Sequence, residues 1–104
     1  MKRELLFAPA ALADLEEIFW FIAADNPRRA RSYIGEIELA CGKLRDMPHL
    51  GVERADLHPG LRVMALWRRI VIAYKVSDDK IDVLRVFSAG QDYQAIMSGE
   101  NIDD

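Results

Sequence analysis

The sequence lacks the residue types on which several common kinds of functional site depend. Its 104 residues include one cysteine and two histidines, too few for an internal disulfide or a cysteine-rich metal site. No apolar run approaches the roughly 20 residues that a membrane helix requires. A glycine-rich phosphate loop and a spacing typical of a catalytic triad are also missing. We therefore expect no cofactor, no metal and no membrane association.

The sequence also lacks an excess of positive charge. Its formal net charge is −3, whereas nucleic-acid-binding domains are usually basic because counterion release from phosphates supplies most of their affinity. The basic residues are concentrated in one region, since residues 61–87 contain six basic and three acidic residues and residues 88–104 contain four acidic and no basic ones. This pattern argues against strong direct nucleic-acid binding and leaves a local basic patch possible.

The N-terminal residues resemble a signal peptide only briefly. Glu4 interrupts the basic start, the apolar stretch 5–13 is short, and an acidic helix follows at once. We therefore expect this segment to belong to the folded protein and the protein to be cytoplasmic.

The N-terminal half predicts a strand followed by a helical hairpin. Residues 3–8 predict a strand that Pro9 ends, and Asn26-Pro27 separates two amphipathic helices. The predicted core stripe of the first helix is Leu12, Leu15, Ile18, Phe19 and Ile22. The predicted stripe of the second is Ala30, Tyr33 or Ile34, Ile37, Cys41, Leu44 and Met47, and Pro48 stops it. Gly35 and Gly42 would be tolerable in this helix if the two helices approach closely there.

The C-terminal half changes to the period of β-strands. Residues 48–60 predict a loop, and residues 61–67, 68–76 and 80–87 predict three strands, with a turn at Ser77–Asp79. Short turns between neighbouring strands imply an antiparallel meander. The order β-α-α-β-β-β predicts an α+β fold, in which the helical hairpin packs on one face of an antiparallel sheet and a short C-terminal helix or tail follows.

Alternation along the strands assigns side chains to the two faces of this sheet. In the middle strand one face holds Ile70, Ile72, Tyr74 and Val76, and the other holds Val71, Ala73 and Lys75. In the last strand Leu84 and Val86 lie opposite Val83, Arg85 and Phe87. The face away from the helices should hold Arg85, Arg62 and Lys75, and it should be partly wet so that the charged heads reach solvent.

Three successive aromatic residues, Phe19–Phe21, form the first candidate for function. They sweep about 200° around a helix and cannot all face one core. Phe19 continues the predicted stripe, which leaves Trp20 or Phe21 at the edge of the hairpin. This apolar flank is either covered by the chain's own loop or tail or exposed as a groove for a partner.

The arginine set Arg62, Arg68, Arg69 and Arg85 forms the second candidate. Its alternative interpretation is solvated sheet charge, partly paired with Asp82 or Asp92. The two histidines, His49 and His58, fall in the predicted loop, where nothing rigid would hold them for acid–base chemistry. Cys41 is expected to be a small core residue. No catalytic constellation is predicted.

Taken together, these segments resemble ParE-type toxins of the RelE/ParE superfamily. The resemblance covers about residues 5–97 and is carried by "FAPAALADLEEIFWFIAADNPRRARSYI", "LGVERADLHPGLRVM", "IVIAYKV" and "VLRVF". It implies one toxin domain, residues 1–97, with an acidic tail at 98–104. It also implies a type II toxin–antitoxin module for plasmid stabilization, in which a ParD-like antitoxin silences the toxin within a hetero-oligomer, expected to be a heterotetramer.

The resemblance leaves two activities open, because ParE-type proteins poison DNA gyrase whereas RelE-like relatives cleave mRNA on the ribosome. Arg62 and Arg85 match the family's strand arginines, but no histidine follows the last strand, and Tyr93 is the only tyrosine beyond it. Arginines without a proton-transfer group could stabilise charge but not complete hydrolysis. We therefore expect a gyrase inhibitor that binds rather than an enzyme.

Two departures from the family's pattern leave a third possibility, a detoxified interaction module. Ser88 replaces a histidine that many ParE-type sequences carry after the last strand, and Gln91-Asp92 replaces an arginine–aspartate pair. The residues expected to bind the antitoxin are Trp20, Phe21, Arg62, Arg68, Arg69 and Arg85. Those expected to bind the target are Arg85, Asp92 and Tyr93.

Overall fold

The computed structural model describes residues 3–99 and confirms the predicted order of elements. The elements are β1 (Glu4–Phe7), α1 (Pro9–Ala23), α2 (Pro27–Gly42), a 3₁₀ turn (Lys43–Arg45), β2 (Val52–Glu53), β3 (Arg62–Leu66), β4 (Ile70–Val76), β5 (Lys80–Ser88) and α3 (Tyr93–Gly99). None of the helices in this range is long and apolar enough to cross a membrane. The predicted acidic tail, 98–104, begins inside α3, and its residues 100–104 lie outside the described residues.

The helices begin where the sequence indicated. Proline occupies the first turn of both α1 and α2, where its missing N–H is not needed. The side chain of Asn26 accepts a hydrogen bond from the backbone N–H of Arg29 at 3.0 Å and so caps α2. These local signals position the helical hairpin against the sheet.

The five-stranded sheet has the order β1-β5-β4-β3-β2. β1 pairs with β5 in parallel, with Glu4 opposite Lys80, and the other neighbours are antiparallel. The sheet is therefore mixed, because β1 lies beside the last strand of the meander. Turn lengths indicate only how consecutive strands pair, so this contact was not predicted.

The predicted loop 48–60 contains β2, which pairs with β3 through Val52 opposite Val63 and Glu53 opposite Arg62. The prediction of a loop was wrong at these two residues. A strand of two residues is too short to show alternation in the sequence.

A β-bulge in β5 corrects the predicted faces of that strand. Tyr74 of β4 pairs with Val83, whereas Ala73 pairs with Arg85, so Leu84 is an extra residue. Val83 and Val86 therefore both pack on the side of the helical hairpin, and Leu84 and Phe87 on the other. The predicted division of β4 into two faces is confirmed.

The sheet is buried on both faces rather than on one. The cluster under the helical hairpin includes Ala11, Leu15, Ile37, Cys41, Leu44, Ile70, Ile72, Tyr74, Ile81, Val83 and Val86. On the opposite face Leu61, Ala73, Phe87 and Met97 form a second buried cluster. The face expected to be wet is therefore covered in part by α3, which supplies Met97.

The buried face of α1 is rotated from the predicted stripe. Leu12 is 54% exposed, whereas Ala11, Asp14 and Leu15 are buried. The expectation for Leu12 was wrong because Asp14 bonds to β5 and turns its own face of the helix inward.

Helix α2 buries Ala30, Ile37 and Cys41 as predicted, followed by Leu44 in the 3₁₀ turn. Met47 lies beyond that turn and is exposed, contrary to expectation. A Cβ built on Gly35 or Gly42 would meet no atom beyond the backbone of its own helix within 4 Å, so the two helices do not approach closely at these glycines.

Candidate functional site

The last turns of α1 expose two large aromatic side chains. Trp20 is 63% exposed and Phe21 is 84% exposed, while the ring of Phe19 packs edge-on against Trp20 with 5.1 Å between centroids. The prediction that this triplet leaves an aromatic side chain outside the core is confirmed for both Trp20 and Phe21. Within residues 3–99 no loop or other segment covers them.

Phe21 lies at a groove of about 710 Å³ between the helical hairpin and one end of the sheet. Its charged lining is Glu17, Arg29 and Arg69, Ser88 adds a hydroxyl, and its apolar lining is Ile18, Phe21, Ile22, Tyr33, Ile70 and Ala89. We call this surface the hairpin groove. Its size and mainly apolar lining are typical of binding pockets. Trp20 is not part of the lining.

The cations of the hairpin groove differ in how far they are already bonded. Arg29 forms a 3.0 Å ion pair with Glu36 and lies over the ring of Tyr33, 5.0 Å from its centroid. Arg69, like its neighbour Arg68, has no ion pair within residues 3–99. Both are exposed in the connection between β3 and β4. The groove therefore has a positive rim that is only partly neutralised.

A second groove runs along α2 on the other side of that connection. It is larger, about 1240 Å³, and more open. Gly35, Leu39, Leu50, Leu66 and Trp67 belong to its lining, and we call it the α2 groove. Charges of both signs border it, including Glu36 and Lys43. Its charge therefore favours no single kind of partner.

Arg62 is not on the face where the sequence placed it. It pairs with Tyr74 across the β3–β4 ladder, so its side chain shares the face of the helical hairpin. It donates to the carbonyl oxygen of Gly51 at 2.7 Å. The hydroxyl of Tyr74 accepts from the Gly51 N–H at 2.8 Å and donates to the Pro48 carbonyl at 2.9 Å. Arg62 and Tyr74 therefore hold the segment before β2.

The environment of Tyr74 fits this structural role. Burial raises the pKa of Tyr74 above its ordinary value, and the hydrogen bond from Gly51 and the charge of Arg62 oppose that change. Space is also tight, because a Cβ at Gly51 would lie 2.7 Å from the Tyr74 hydroxyl. Glycine at this position lets the backbone approach the phenol.

Arg85 is bonded to helix α1 and does not reach into solvent. Its Nε and Nη2 donate to the two carboxylate oxygens of Asp14 at 2.8 and 3.0 Å. Asp14 also accepts from the Val86 N–H at 2.8 Å. The Arg85 and Asp14 side chains are 15% and 11% exposed, and Arg85 lies over the ring of Phe87. We call Asp14, Arg85 and Val86 the β5 clamp.

The β5 clamp exists because β1 is shorter than β5. Pairing with β1 ends at Val83, so the edge of β5 beyond it needs another acceptor. Asp14 supplies that acceptor and binds Arg85 at the same time. The wet surroundings expected for Arg85 were wrong for this reason, and the carboxylate that it bonds is that of Asp14.

Asp92 and Tyr93 attach α3 to the rest of the domain. Asp92 accepts from the Ala95 N–H at 3.2 Å and caps the helix. The Tyr93 ring packs against Phe87, and its hydroxyl accepts from Arg54 at 3.2 Å. Arg54 also forms two hydrogen bonds with Asp56, which lower the pKa of that carboxyl. Each of these side chains has an internal partner.

The remaining candidates are structural as well. Cys41 is fully buried, and burial raises the pKa of its thiol to about 12, which confirms it as a core residue. No group of three or more histidine, cysteine or acidic side chains within residues 3–99 could hold a metal ion. Tyr33, offered with Ile34 for the core stripe of α2, packs against the core and also lines the hairpin groove. Sequence reasoning missed Trp67, which it assigned to a strand. The connection that contains Trp67, "WRR", lacks the usual turn residues, so the sequence pattern did not mark it as a turn.

The chain is similar to known proteins over most of its length. The family model described as ParE toxin of type II toxin–antitoxin system, parDE, matches residues 5–93. Toxin ParE3 of Caulobacter vibrioides is 29% identical over 76 residues, covering 70% of this chain and 73% of ParE3. A solved structure of the chromosomal ParDE TA system from P. aeruginosa has the same fold, with a TM-score of 0.70 and 24% identity over 84% of this chain and 96% of that chain.

Proposed function

Since the chain belongs to the family of ParE toxins of type II toxin–antitoxin systems, we propose that a ParD-like antitoxin silences it by binding the hairpin groove. We further propose that the free toxin inhibits DNA gyrase by binding. The proposal for the antitoxin rests on the geometry of the groove, and the proposal for gyrase rests on family membership.

The hairpin groove is the observation that supports an antitoxin at this site. Its floor is apolar, Phe21 is 84% exposed beside it, and Arg69 lies at its rim without an ion pair among the described residues. An amphipathic helix with acidic side chains would bury its apolar face against Phe21 and place its carboxylates near the arginines. Trp20, next to Phe21, would contact the same segment at the edge of the groove.

The bonding of the strand arginines supports a toxin that binds rather than catalyses. A nuclease would need Arg62 and Arg85 near the scissile phosphate, yet Arg62 donates to the Gly51 carbonyl and Arg85 is held by Asp14. An mRNA endonuclease is therefore the weaker candidate. Of the four arginines proposed for antitoxin binding, Arg68 and Arg69 are the two that the structure leaves exposed.

The two departures from the family's pattern bond to each other. The Ser88 N–H donates to the Gln91 side-chain oxygen at 2.8 Å, and the Ser88 hydroxyl lies 3.2 Å from the same atom. Together they shape the turn between β5 and α3. We propose that this turn is structural, so that the departures do not by themselves abolish toxicity.

The proposed target also determines the proposed location. Gyrase acts on chromosomal DNA, so we place the toxin in the cytoplasm. By family resemblance we propose that it stays in a heterotetramer with its antitoxin until it is released. Light scattering of the purified complex tests the heterotetramer directly.

One experiment separates the candidate activities. The chain is induced in bacteria alone and together with the product of the reading frame that adjoins its gene, and growth, mRNA integrity and plasmid supercoiling are measured. We expect growth arrest, intact mRNA and relaxed or cleaved plasmid in the absence of the second protein, and rescue in its presence. Cleavage of mRNA within codons would replace the gyrase proposal with the nuclease, and unimpaired growth would leave a detoxified module.

A further inference from the structure

We propose that the connection Trp67–Arg69 between β3 and β4 is a docking element for the acidic segment of the antitoxin. We infer that its strained backbone is retained for binding and not for folding. This inference rests on the proposed antitoxin at the hairpin groove and adds the residues that would hold it there. We call the connection the β3–β4 turn.

The backbone of the β3–β4 turn is unusual. Trp67 and Arg68 have φ angles of 53° and 59°, and within residues 3–99 they are the only residues other than glycine with positive φ. The Arg69 N–H donates to the Leu66 carbonyl at 2.9 Å. Two successive positive φ angles are characteristic of type I′ hairpin turns, where Asn-Gly is strongly preferred. A bulky side chain such as tryptophan is a clear outlier in this region.

Elsewhere the chain uses glycine for the same purpose. In the described part of the chain the other two positive φ angles belong to Gly60 and Gly90, at 78° and 93°. A sequence selected only for stability would place Asn-Gly at the β3–β4 turn as well. Backbone strain of this kind persists where the surroundings or the function require it. The presence of Trp67 and Arg68 at these strained positions therefore indicates a function for their side chains.

The position of the turn indicates which function that is. Trp67 is 49% exposed, and its ring packs against Tyr33 with 5.7 Å between centroids. Tyr33 and Arg69 line the hairpin groove, whereas Trp67 lines the α2 groove. The turn therefore forms the ridge between two apolar surfaces. A segment that leaves the hairpin groove in the direction of the α2 groove must cross Trp67.

Charge selects an acidic segment for this position. Arg68 and Arg69 have no ion pair within residues 3–99, although the whole chain has a net charge of −3. Glu17 is the one carboxylate among the residues that line the hairpin groove within residues 3–99. A partner with carboxylates spaced along an apolar face would pair with the arginines and cover Trp67. An exposed tryptophan beside arginine is also the composition of binding hot spots.

The test replaces the turn with the residues that its backbone favours. In the double variant Trp67→Asn/Arg68→Gly, relief of strain should raise the Tm by about 4 °C even though the contact with Tyr33 is lost. The same variant should bind the antitoxin from the adjoining reading frame at least ten times more weakly by calorimetry. A more stable protein that binds more weakly is a result that a purely structural turn would not produce.

Two further variants identify the cause of the weaker binding. Arg68→Lys keeps the charge and should retain binding within about threefold at low salt, because Arg68 acts through its charge. Leu12→Ala removes an exposed apolar side chain that lines neither groove and should leave binding unchanged. Equal loss in Leu12→Ala would mean that the assay reports general destabilisation, and it would overturn the inference.

The outcomes separate this inference from the proposed function. If the wild-type chain does not bind the antitoxin, the proposed function fails and this inference fails with it. If Phe21→Ala weakens binding but Trp67→Asn/Arg68→Gly does not, only the inference is overturned. Loss of toxicity with unchanged antitoxin binding would assign the turn to the target and would also overturn it.

Discussion

The hairpin groove and the β5 clamp both combine arginines with aromatic rings, but they differ in how their polar groups are bonded. In the β5 clamp, Asp14 uses both carboxylate oxygens on Arg85 and also accepts from the Val86 N–H. At the hairpin groove, Phe21 is exposed and Arg69 has no ion pair within residues 3–99. An arginine in a strand is therefore a poor indicator of a binding surface, and exposure without a partner is a better one.

The largest expected effect comes from removing the acid of the β5 clamp. Asp14→Ala leaves Arg85 without its counter-charge and the Val86 N–H without its acceptor. Breaking a buried ion pair in this way should lower the free energy of unfolding by about 3 kcal/mol. Urea denaturation measures the change.

Two variants on the same helix serve as controls for the β5 clamp. Asp14→Asn retains an oxygen for the Val86 N–H and should lose less stability than Asp14→Ala. Glu17→Ala removes an exposed carboxylate and should stay within about 0.5 kcal/mol of the wild type. An Asp14→Ala protein as stable as the wild type would show that the ion pair does not stabilise β5, and Arg85 would again be a candidate contact.

The next effect tests the hairpin groove through its two exposed aromatic residues. Phe21 lines the groove and Trp20 does not. Phe21→Ala should weaken antitoxin binding by about 2 kcal/mol, and Trp20→Ala by about 1 kcal/mol, because central interface anchors contribute more than edge residues. Calorimetry measures both, and the Tm of each variant should remain close to that of the wild type. A larger loss at Trp20 would mean that the partner covers the end of α1 and not the groove.

Local sequence signals predicted the elements of this fold but not several contacts between them. Proline and Asn26 marked the helix starts, and β-branched runs marked the strands. The inward turn of Asp14 could not be predicted, because its partner Arg85 lies 71 residues away in sequence. The pairing of β1 with β5 is non-local in the same way.

The part of the candidate site on α1 could be predicted from local helix geometry, whereas the parts on β5 and on the β3–β4 turn could not. Three successive aromatics cannot share one helix face, so the exposure of Trp20 or Phe21 followed from geometry, whereas the exposure of both did not. The bulge at Leu84 changed the alternation of β5, and no residue pattern in the sequence predicted it. Trp67 was assigned to a strand because neither it nor its neighbours Arg68 and Arg69 is a residue type that favours a tight turn.

A smaller effect is expected where a hydroxyl, and not an ion pair, holds a loop. Tyr74→Phe leaves the Pro48 carbonyl and the Gly51 N–H without their partner. It should lower the free energy of unfolding by about 1.5 kcal/mol, since buried polar groups would remain unpaired. Tyr33→Phe is the matched control, because its hydroxyl makes no hydrogen bond within residues 3–99. Equal losses in both variants would show that the Tyr74 hydroxyl does not fasten this segment.

The smallest effect concerns Gly35, which lies in the middle of α2 and lines the α2 groove. A Cβ at this position would meet no atom within 4 Å, so Gly35→Ala should raise the free energy of unfolding by about 0.5 to 1 kcal/mol through helix propensity alone. Antitoxin binding by the same variant then distinguishes the two grooves. Unchanged binding would confine close contact to the hairpin groove and the β3–β4 turn. Weaker binding by a more stable protein would mean that the partner's backbone approaches α2 at Gly35, which would explain why a glycine is retained where the fold itself does not require one.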